Sequence, residues 1–412
     1  MEYISRAIEE LTRKTRKTFK VVLVTGARQT GKSTMLRHLF PDLRYVQLDD
    51  EMLLDQINES PHLFMDINPS PIIIDEIQKA PILFPLVKIE CDKSDKKGLF
   101  CLSGSQPLSL MKNVSESLAG RVGIIEMTGL SLRELTNDTF NEPFLPSLEQ
   151  IRRHSRTINP HKSIWDVIHR GSYPELQNDD VDWNMFYSSY VSTYIYKDVR
   201  ELSAVQNPSD FRKFMIACAA RTGRMLNNTS IANDIGIDSK TARNWMSILE
   251  ASGIVYLLEP FEHNLLKRTV RTPKLYFRDT GLAAYLTRWM TPDQLSAGAM
   301  AGQIFETFVV SEILKSYSNC GMDYRLFISY YRGKDVREGE GDDEIDLIIE
   351  QNGKYYPIEI KKNEKVSEHQ AASFRVLDRI PGNKRGTGAI ISNAAMPSQI
   401  GENLLSIPVW YI

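Results

Sequence analysis

Two short stretches of the chain gather residues that handle phosphate. The first, VVLVTGARQTGKST, places Gly26, four residues, then Gly31, Lys32 and Ser33 directly after an apolar run and before a helical pattern. Glycines at those positions let backbone N–H groups curl around phosphate oxygens, the lysine reaches the β and γ oxygens, and the hydroxyl ligates Mg²⁺. The spacing marks Gly26, Gln29, Thr30, Gly31, Lys32, Ser33 and Thr34 as the lining of a nucleotide site, with ATP and Mg²⁺ as its ligands. The second stretch, PIIIDE, is a buried-strand run ending in Asp75 and Glu76. Asp75 is placed there to support the Mg²⁺ shell and Glu76 to polarise an attacking water. A structural strand, turn and helix with two surface acids is the competing reading, and the presence of both motifs in order weighs against it.

A third stretch, EIDLIIEQNGKYYPIEIKK, spans residues 344–362. Asn352 and Gly353 suit a two-residue hairpin turn, because both turn positions need positive φ. With the hinge there, Ile349 faces Tyr356, Leu347 faces Ile358, Asp346 faces Glu359 and Glu344 faces Lys361. Alternation gives Ile345, Leu347, Ile349, Tyr356, Ile358 and Ile360 one core face and leaves the charged residues on the other. Carboxylates opposed on a ladder repel each other. A divalent cation between Asp346 and Glu359 relieves that repulsion, and oxygen ligands select Mg²⁺ or Mn²⁺. Lys361, two residues along on the same face as Glu359, can orient water and stabilise charge on a phosphate, with the Ile360 carbonyl as a further ligand. A solvated hairpin face with Lys361 paired to Glu344 accounts for the same pattern without a metal.

Between Asn227 and Leu258 the pattern reads as a short helix over 230–235, a turn through Gly236, Ile237 and Asp238, and a longer helix over 239–251. A strand after Gly253 completes a winged helix-turn-helix, with Asp238 or Ser239 as the cap. Lys240, Arg243 and Asn244 then project from the turns that normally contact a DNA groove. Lys267, Arg268, Arg271, Lys274 and Arg278 form a local basic strip before Asp279. Winged helices also serve as protein-binding modules. Trp183, Tyr187, Tyr190 and Tyr194 recur at helical spacing, which suits a core stripe more often than a platform for stacked bases.

The elements that must position these residues fall into three parts. Short apolar runs alternate with helical stretches from Val21 to Met127, the pattern of a parallel sheet with crossover helices. Helical patterns dominate from about Asp138 to Pro260, and a second α/β unit follows from about Gln303. At 412 residues the chain is too long for one ordinary domain. The expected units are a phosphate-loop α/β core over 1–137, a helical lid or linker over 138–205, a winged helix over 206–262 and a second α/β domain over 263–412. With 42% hydrophobic and 25% charged residues and a net charge of -2, the composition is that of a soluble globular protein with no global sign of a polyanionic partner. Cys91, Cys101, Cys218 and Cys320 follow no metal or disulfide spacing, which suits a reducing compartment. No apolar run approaches the roughly 20 residues of a membrane span, and the first residues lack the apolar core of a signal peptide. The expected location is the cytoplasm.

On the nucleotide motifs the sequence resembles the AAA+ ATPases, and in particular a prokaryotic group whose C-terminal domain of unknown function is nuclease-like. RGSYPEL, TYIYKDVREL and KLYFRDTGLAAYL look like signature segments of that group. In FCLSGSQ the resemblance makes Ser105, ahead of Ser103, the sensor of the γ-phosphate. In ESLAGRV it makes Arg121 an arginine suited to reach a nucleotide, including one in a neighbouring subunit of a homo-oligomer. Asp346 with Glu359-Ile360-Lys361 resembles the PD-(D/E)xK nuclease motif, and Glu306 in GQIFETF matches the carboxylate that a preceding helix adds there, ahead of Glu312. The resemblance implies a Mg²⁺-dependent ATPase that binds DNA and cuts it with metal ligands Glu306, Asp346 and Glu359. The alternatives are a nucleotide-controlled DNA- or protein-binding module with a silent nuclease fold, and an ATPase that remodels proteins.

Overall fold

A computed structural model describes residues 3–105, 110, 114, 116–158, 162–194, 207–261, 272–333, 344–382 and 384–412. The first sheet holds β1 (Val21–Thr25), β2 (Arg44–Gln47), β3 (Ile72–Asp75), β4 (Phe100–Gly104) and β5 (Val122–Glu126) in the order β2-β3-β4-β1-β5. Every pairing in it is parallel. Helices cover both faces, which is why its inner strands read as unbroken apolar runs. Val21 and Leu23 pack with Ile72, Phe100 and the Phe84 and Val87 side chains, while Val22 and Val24 pack with Met35, Leu36, Ile73 and Ile125.

Beyond residue 131 a large apolar core draws residues from Leu132 to Ile412, and a smaller cluster around Phe374 and Leu377 lies beside the last sheet. Trp183, Tyr187, Tyr190 and Tyr194 lie inside the large core on the helix Trp183–Tyr194, so the aromatic stripe is core. The helix Ile164–Arg170 packs beside them. Its His169 stacks on Trp183 at 4.3 Å and donates from Nε2 to the Trp289 carbonyl at 2.9 Å. Burial holds the His169 pKa below its ordinary value of 6.5. The unfolded chain therefore takes up this proton first, and stability is lost as pH falls through about 6.5. Urea unfolding of His169→Gln protein is expected to lose a slope of at most about 1.4 kcal/mol per pH unit on the acid side of that value. An unchanged slope relative to wild type would refute this assignment.

The helices Pro208–Ala219, Asn228–Ile235 and Ser239–Ala251 accompany an antiparallel sheet of β6 (Arg224–Met225), which lies between the first two of them, with β7 (Val255–Leu258) and β8 (Lys274–Phe277), ordered β6-β8-β7. β8 lies past the boundary expected at residue 262, yet it completes this sheet.

The last unit is a mixed sheet of β9 (Ile328–Arg332), β10 (Glu344–Gln351), β11 (Lys354–Lys361), β12 (Gly388–Ser392), β13 (Ser398–Gly401) and β14 (Leu404–Pro408), ordered β13-β14-β12-β11-β10-β9. The hairpin register is the expected one, with Leu347 opposite Ile358 and Ile349 opposite Tyr356. Asn352 and Gly353 adopt φ of 53° and 72° at its turn. The face opposite that core is covered as well, against the alternative of a solvated hairpin face, because Ile345, Ile348, Tyr355 and Ile390 pack with Phe374 and Leu377 of the 3-10 helical segment Glu368–Arg379. Ile345 also leaves the company of Leu347, Ile349, Ile358 and Ile360, which pack against the helix Ala301–Asn319. The reason is a bulge: β10 pairs Ile345 with Tyr331 but Ile348 with Ser329, so Asp346 and Leu347 together oppose Tyr330. An extra residue reverses the alternation on one side of it.

Candidate functional site

The loop after β1 is shaped by its glycines. Gly26 has φ of 140°, and a Cβ there would lie 2.0 Å from the Met127 carbonyl oxygen; Gly31, with φ of 91°, leads into the helix Lys32–Leu39. Gln29 has φ of 60°, and Thr30 Oγ1 donates to the Ala27 carbonyl at 3.0 Å. The Lys32 ammonium donates to the carbonyls of Gly26 at 3.0 Å and Ala27 at 2.7 Å, inside the curl of the loop. Thr34 stands exposed on the first helical turn.

Parallel pairing brings the ends of β3 and β4 to the same edge. Asp75 Oδ1 accepts from Ser33 Oγ at 2.9 Å and from Ser103 Oγ, and Oδ2 accepts from Tyr45 at 2.6 Å. Burial, then the contact with Asp75, raises the Tyr45 pKa and keeps the phenol a donor. Glu76 follows in the left-handed region at φ of 55°, and its Oε2 accepts from Ser105 Oγ at 3.0 Å and from Gln78. The two serines thus divide the work, Ser103 on Asp75 and Ser105 on Glu76. Tyr45, Gln78 and Arg6 escaped the sequence reading. Arg6 is buried, donates to the Thr30 carbonyl at 2.7 Å and pairs with Glu134 at 3.1 Å, bracing the loop from behind. Only its position ahead of the motif could have flagged it.

Arg121 lies elsewhere. It precedes β5, its carbonyl accepts from Val21 at the start of β1, and it forms a two-pronged ion pair with Asp92 at 2.6 and 3.0 Å. The phosphate loop leaves the other end of β1, roughly 15 Å away at strand rise. Within its own chain Arg121 does not reach the nucleotide loop.

The second group of residues converges around a cation the sequence reading had placed on the surface. Lys274 on β8 is 3% exposed, and its ammonium lies 2.6 Å from Glu344, 3.3 Å from Glu306 and 3.8 Å from Asp346. Burial alone would lower its pKa; the three acids reverse that and hold it charged. Tyr276 donates to Glu306 at 2.5 Å. Asp346, displaced by the bulge, turns its Oδ2 into the ladder and accepts from the Ile360 N–H at 2.8 Å. Glu359 pairs with Lys361 through Oε1, while its buried Oε2 has no hydrogen-bond partner among the described residues. Burial, then the charge of Asp346, pushes Glu306 up to about 7 and Glu359 up to about 8. Among the described residues no three metal-ligating side chains converge closely enough to hold an ion. Glu312, the weaker sequence choice, is not in this group: it accepts from the Leu132 N–H at 2.6 Å and pairs with Lys315 at 2.7 Å.

Lys240, Arg243 and Asn244 are exposed on the helix Ser239–Ala251, which Asp238 caps through the N–H groups of Lys240 and Thr241, both at 2.9 Å. Of the expected basic strip, Lys267, Arg268 and Arg271 lie outside the described residues. Lys274 and Arg278 point inward, the latter to Glu126 at 2.6 Å.

Comparison with known proteins agrees with the first site. Residues 18–136 match the family described as an AAA domain, residues 161–293 match "Domain of unknown function (DUF8612)" and residues 301–412 match "Domain of unknown function (DUF4143)". Two uncharacterized proteins, from Mycobacterium tuberculosis and Mycobacterium bovis, are each 26% identical over 364 residues, 87% of this chain and 74% of theirs. Among solved structures, a Walker-type ATPase of Pyrococcus abyssi is 14% identical with a TM-score of 0.39, covering 69% of this chain and 96% of its own. AMPPCP-bound DnaA of Aquifex aeolicus is 13% identical with a TM-score of 0.29, covering 59% and 85%. Among the described residues no helix is long and apolar enough to cross a membrane. The five-stranded parallel sheet, the loop at the end of β1 and the acids at the end of β3 fit the P-loop fold of AAA type over residues 18–136.

Proposed function

We propose that the chain is an ATP hydrolase that works on duplex DNA. The observation that carries the hydrolase reading is the hydrogen bond between Ser33 Oγ and Asp75 Oδ1 at the mouth of the phosphate loop. Two hard oxygen donors side by side, beside a lysine, fit Mg²⁺ and a nucleotide triphosphate. In this reading the N–H groups of Gln29, Thr30, Gly31, Lys32, Ser33 and Thr34 cradle phosphate, and Lys32 gives up its carbonyl partners for the β and γ oxygens. Bound Mg²⁺ would neutralise charge on those oxygens, with Ser33 and Asp75 to hold it. Glu76 takes the proton of the attacking water, and Ser105 positions Glu76.

The DNA part rests on the exposed Lys240, Arg243 and Asn244 at the start of a capped helix, in a helix and strand order that suits a winged helix. ATP turnover and affinity for duplex DNA, measured across salt, test it. Wild-type affinity is expected to fall steeply with salt, and Lys240→Glu with Arg243→Glu to weaken binding at least about tenfold with a shallower slope. Unchanged affinity and slope in the double variant would remove the helix from the interface; no binding by wild type would favour protein remodelling.

For the C-terminal centre we propose a nuclease-type site, in which Glu306, Asp346 and Glu359 are the ligands for Mg²⁺ or Mn²⁺ and Lys361 the general cation. The buried Glu359 Oε2, without a hydrogen-bond partner among the described residues, favours it. Lys274 among the acids favours the second reading, a domain that grips DNA or protein without cutting.

A further inference from the structure

We infer that Lys274 is a resident cation that keeps the carboxylate centre closed to divalent metal until β8 withdraws it. The inference rests on reading Glu306, Asp346 and Glu359 as metal ligands. It goes beyond that reading by naming what controls access.

Lys274 belongs to the winged-helix sheet, whereas its acid partners sit on the helix Ala301–Asn319 and on β10. The centre is therefore shared between two parts of the fold. The ammonium faces the Tyr330 ring at 5.4 Å, and Glu344 has a second, longer contact with Arg332 at 3.5 Å. An ammonium has three N–H donors, and Glu344, Glu306 and Asp346 are the oxygens arranged around this one. A Mg²⁺ ion needs about six oxygens at roughly 2.1 Å in near-octahedral array. Both cations draw on Glu306 and Asp346, and two buried positive charges at such range repel strongly. One must leave for the other to enter.

A second observation shows that the acids are not fully served by the lysine. Glu359 is 8% exposed, and its Oε2 lies buried without a hydrogen bond among the described residues. Lys361 occupies only Oε1. An orphaned carboxylate oxygen beside two acids held by a removable cation is the arrangement expected of a metal centre at rest. Displacement of β8 would free Glu306 and Asp346 to close on an ion together with Glu359. Because β8 is hydrogen-bonded to β7, which follows the helix Ser239–Ala251 with its exposed Lys240, Arg243 and Asn244, ligand binding at that helix has a direct mechanical route to the gate.

Mn²⁺ titration of nucleotide-free, chelator-stripped full-length protein, followed by electron paramagnetic resonance and by Tm, tests this. Lys274→Met keeps the stem and removes the charge. It is expected to bind Mn²⁺ at least tenfold more tightly than wild type and to gain Tm on Mn²⁺ addition, and Lys274→Met with Glu359→Gln is expected to lose both gains. Glu344→Gln leaves the proposed ligands intact and loosens the lysine, so it should show a smaller gain in the same direction. A Lys274→Met protein that folds only with Mn²⁺ present also supports the gate. Equal Mn²⁺ affinity in wild type, Lys274→Met and Glu344→Gln overturns the gate while leaving the metal centre standing. No Mn²⁺ bound by any of them overturns both.

Discussion

Glu76→Gln protein is expected to bind ATP and to turn it over at least about a hundredfold more slowly than wild type, the scale of losing a positioned general base. The carboxylate is set by an unusual backbone. Glu76 follows the last residue of β3 at φ of 55°, which swings its side chain off the strand axis toward β4, where Ser105 meets it at 3.0 Å. Glutamine fills the same volume and can keep the Ser105 contact, so folding and phosphate binding should survive while proton acceptance does not. Lys32→Ala is expected to differ, losing affinity as well, because the ammonium it removes would contact phosphate in the ground state. Phosphate release measures the first effect, and the ATP-dependent rise in Tm separates the two variants. Wild-type turnover in purified Glu76→Gln protein would refute the base assignment.

The shape of the phosphate-type loop was legible because its geometry is local. Gly26 to Thr34 is a single turn of chain, and Asp75 meets Ser33 because parallel strands end at a common edge. The hairpin turn at Asn352 and Gly353 was legible for the same reason. What the sequence hid was set by partners remote in the chain. The bulge at Asp346 depends on the register of β9, and no residue within β10 announces it. Lys274 and Arg278 read as part of a basic strip because charge can be counted from a sequence while direction cannot. Burial against Glu306 and Glu344, and against Glu126, reverses what they do. Arg121 could equally be read as an ordinary surface ion pair, and within one chain that is what the Asp92 contact makes it, because Arg121 stands at the end of the sheet opposite the loop. After Leu132 residues assigned to different units share an apolar core, and β8 joins the sheet of β7 from beyond residue 262, so composition shifts along that part of the chain mark no physical gap.

Asp279 shows how that shared core is tied to the P-loop domain, and its removal is the largest stability effect expected. Its Oδ2 accepts from the Ser172 N–H at 2.7 Å and the Ser172 hydroxyl at 2.8 Å, and its Oδ1 accepts from Tyr187 at 2.6 Å and the Leu282 N–H at 2.7 Å. The Ser172 carbonyl in turn accepts from the Leu130 N–H at 2.7 Å, just after β5. The surrounding glycines are forced by this junction: a Cβ on Gly171 or Gly281 would lie 2.1 or 2.2 Å from the Tyr187 hydroxyl. Burial, then Asp279, holds the Tyr187 pKa well above its ordinary value, so the phenol remains a donor that needs an acceptor. Asp279→Ala would leave the Ser172 N–H and hydroxyl unserved and Tyr187 with only a long contact to the Arg170 carbonyl at 3.3 Å, at about 1–3 kcal/mol each, and remove the cap of the helix Thr280–Leu286, worth about 1 kcal/mol. Partial relaxation brings the expected loss to about 3–5 kcal/mol in urea unfolding. Asp279→Asn keeps one acceptor oxygen and should lose less. Because Ser172 would no longer be fixed, Asp279→Ala protein that still folds should also show weaker ATP-dependent stabilisation. A loss below about 1 kcal/mol would mean that the junction is held by packing alone, and that Asp279 is not what joins the two parts of the fold.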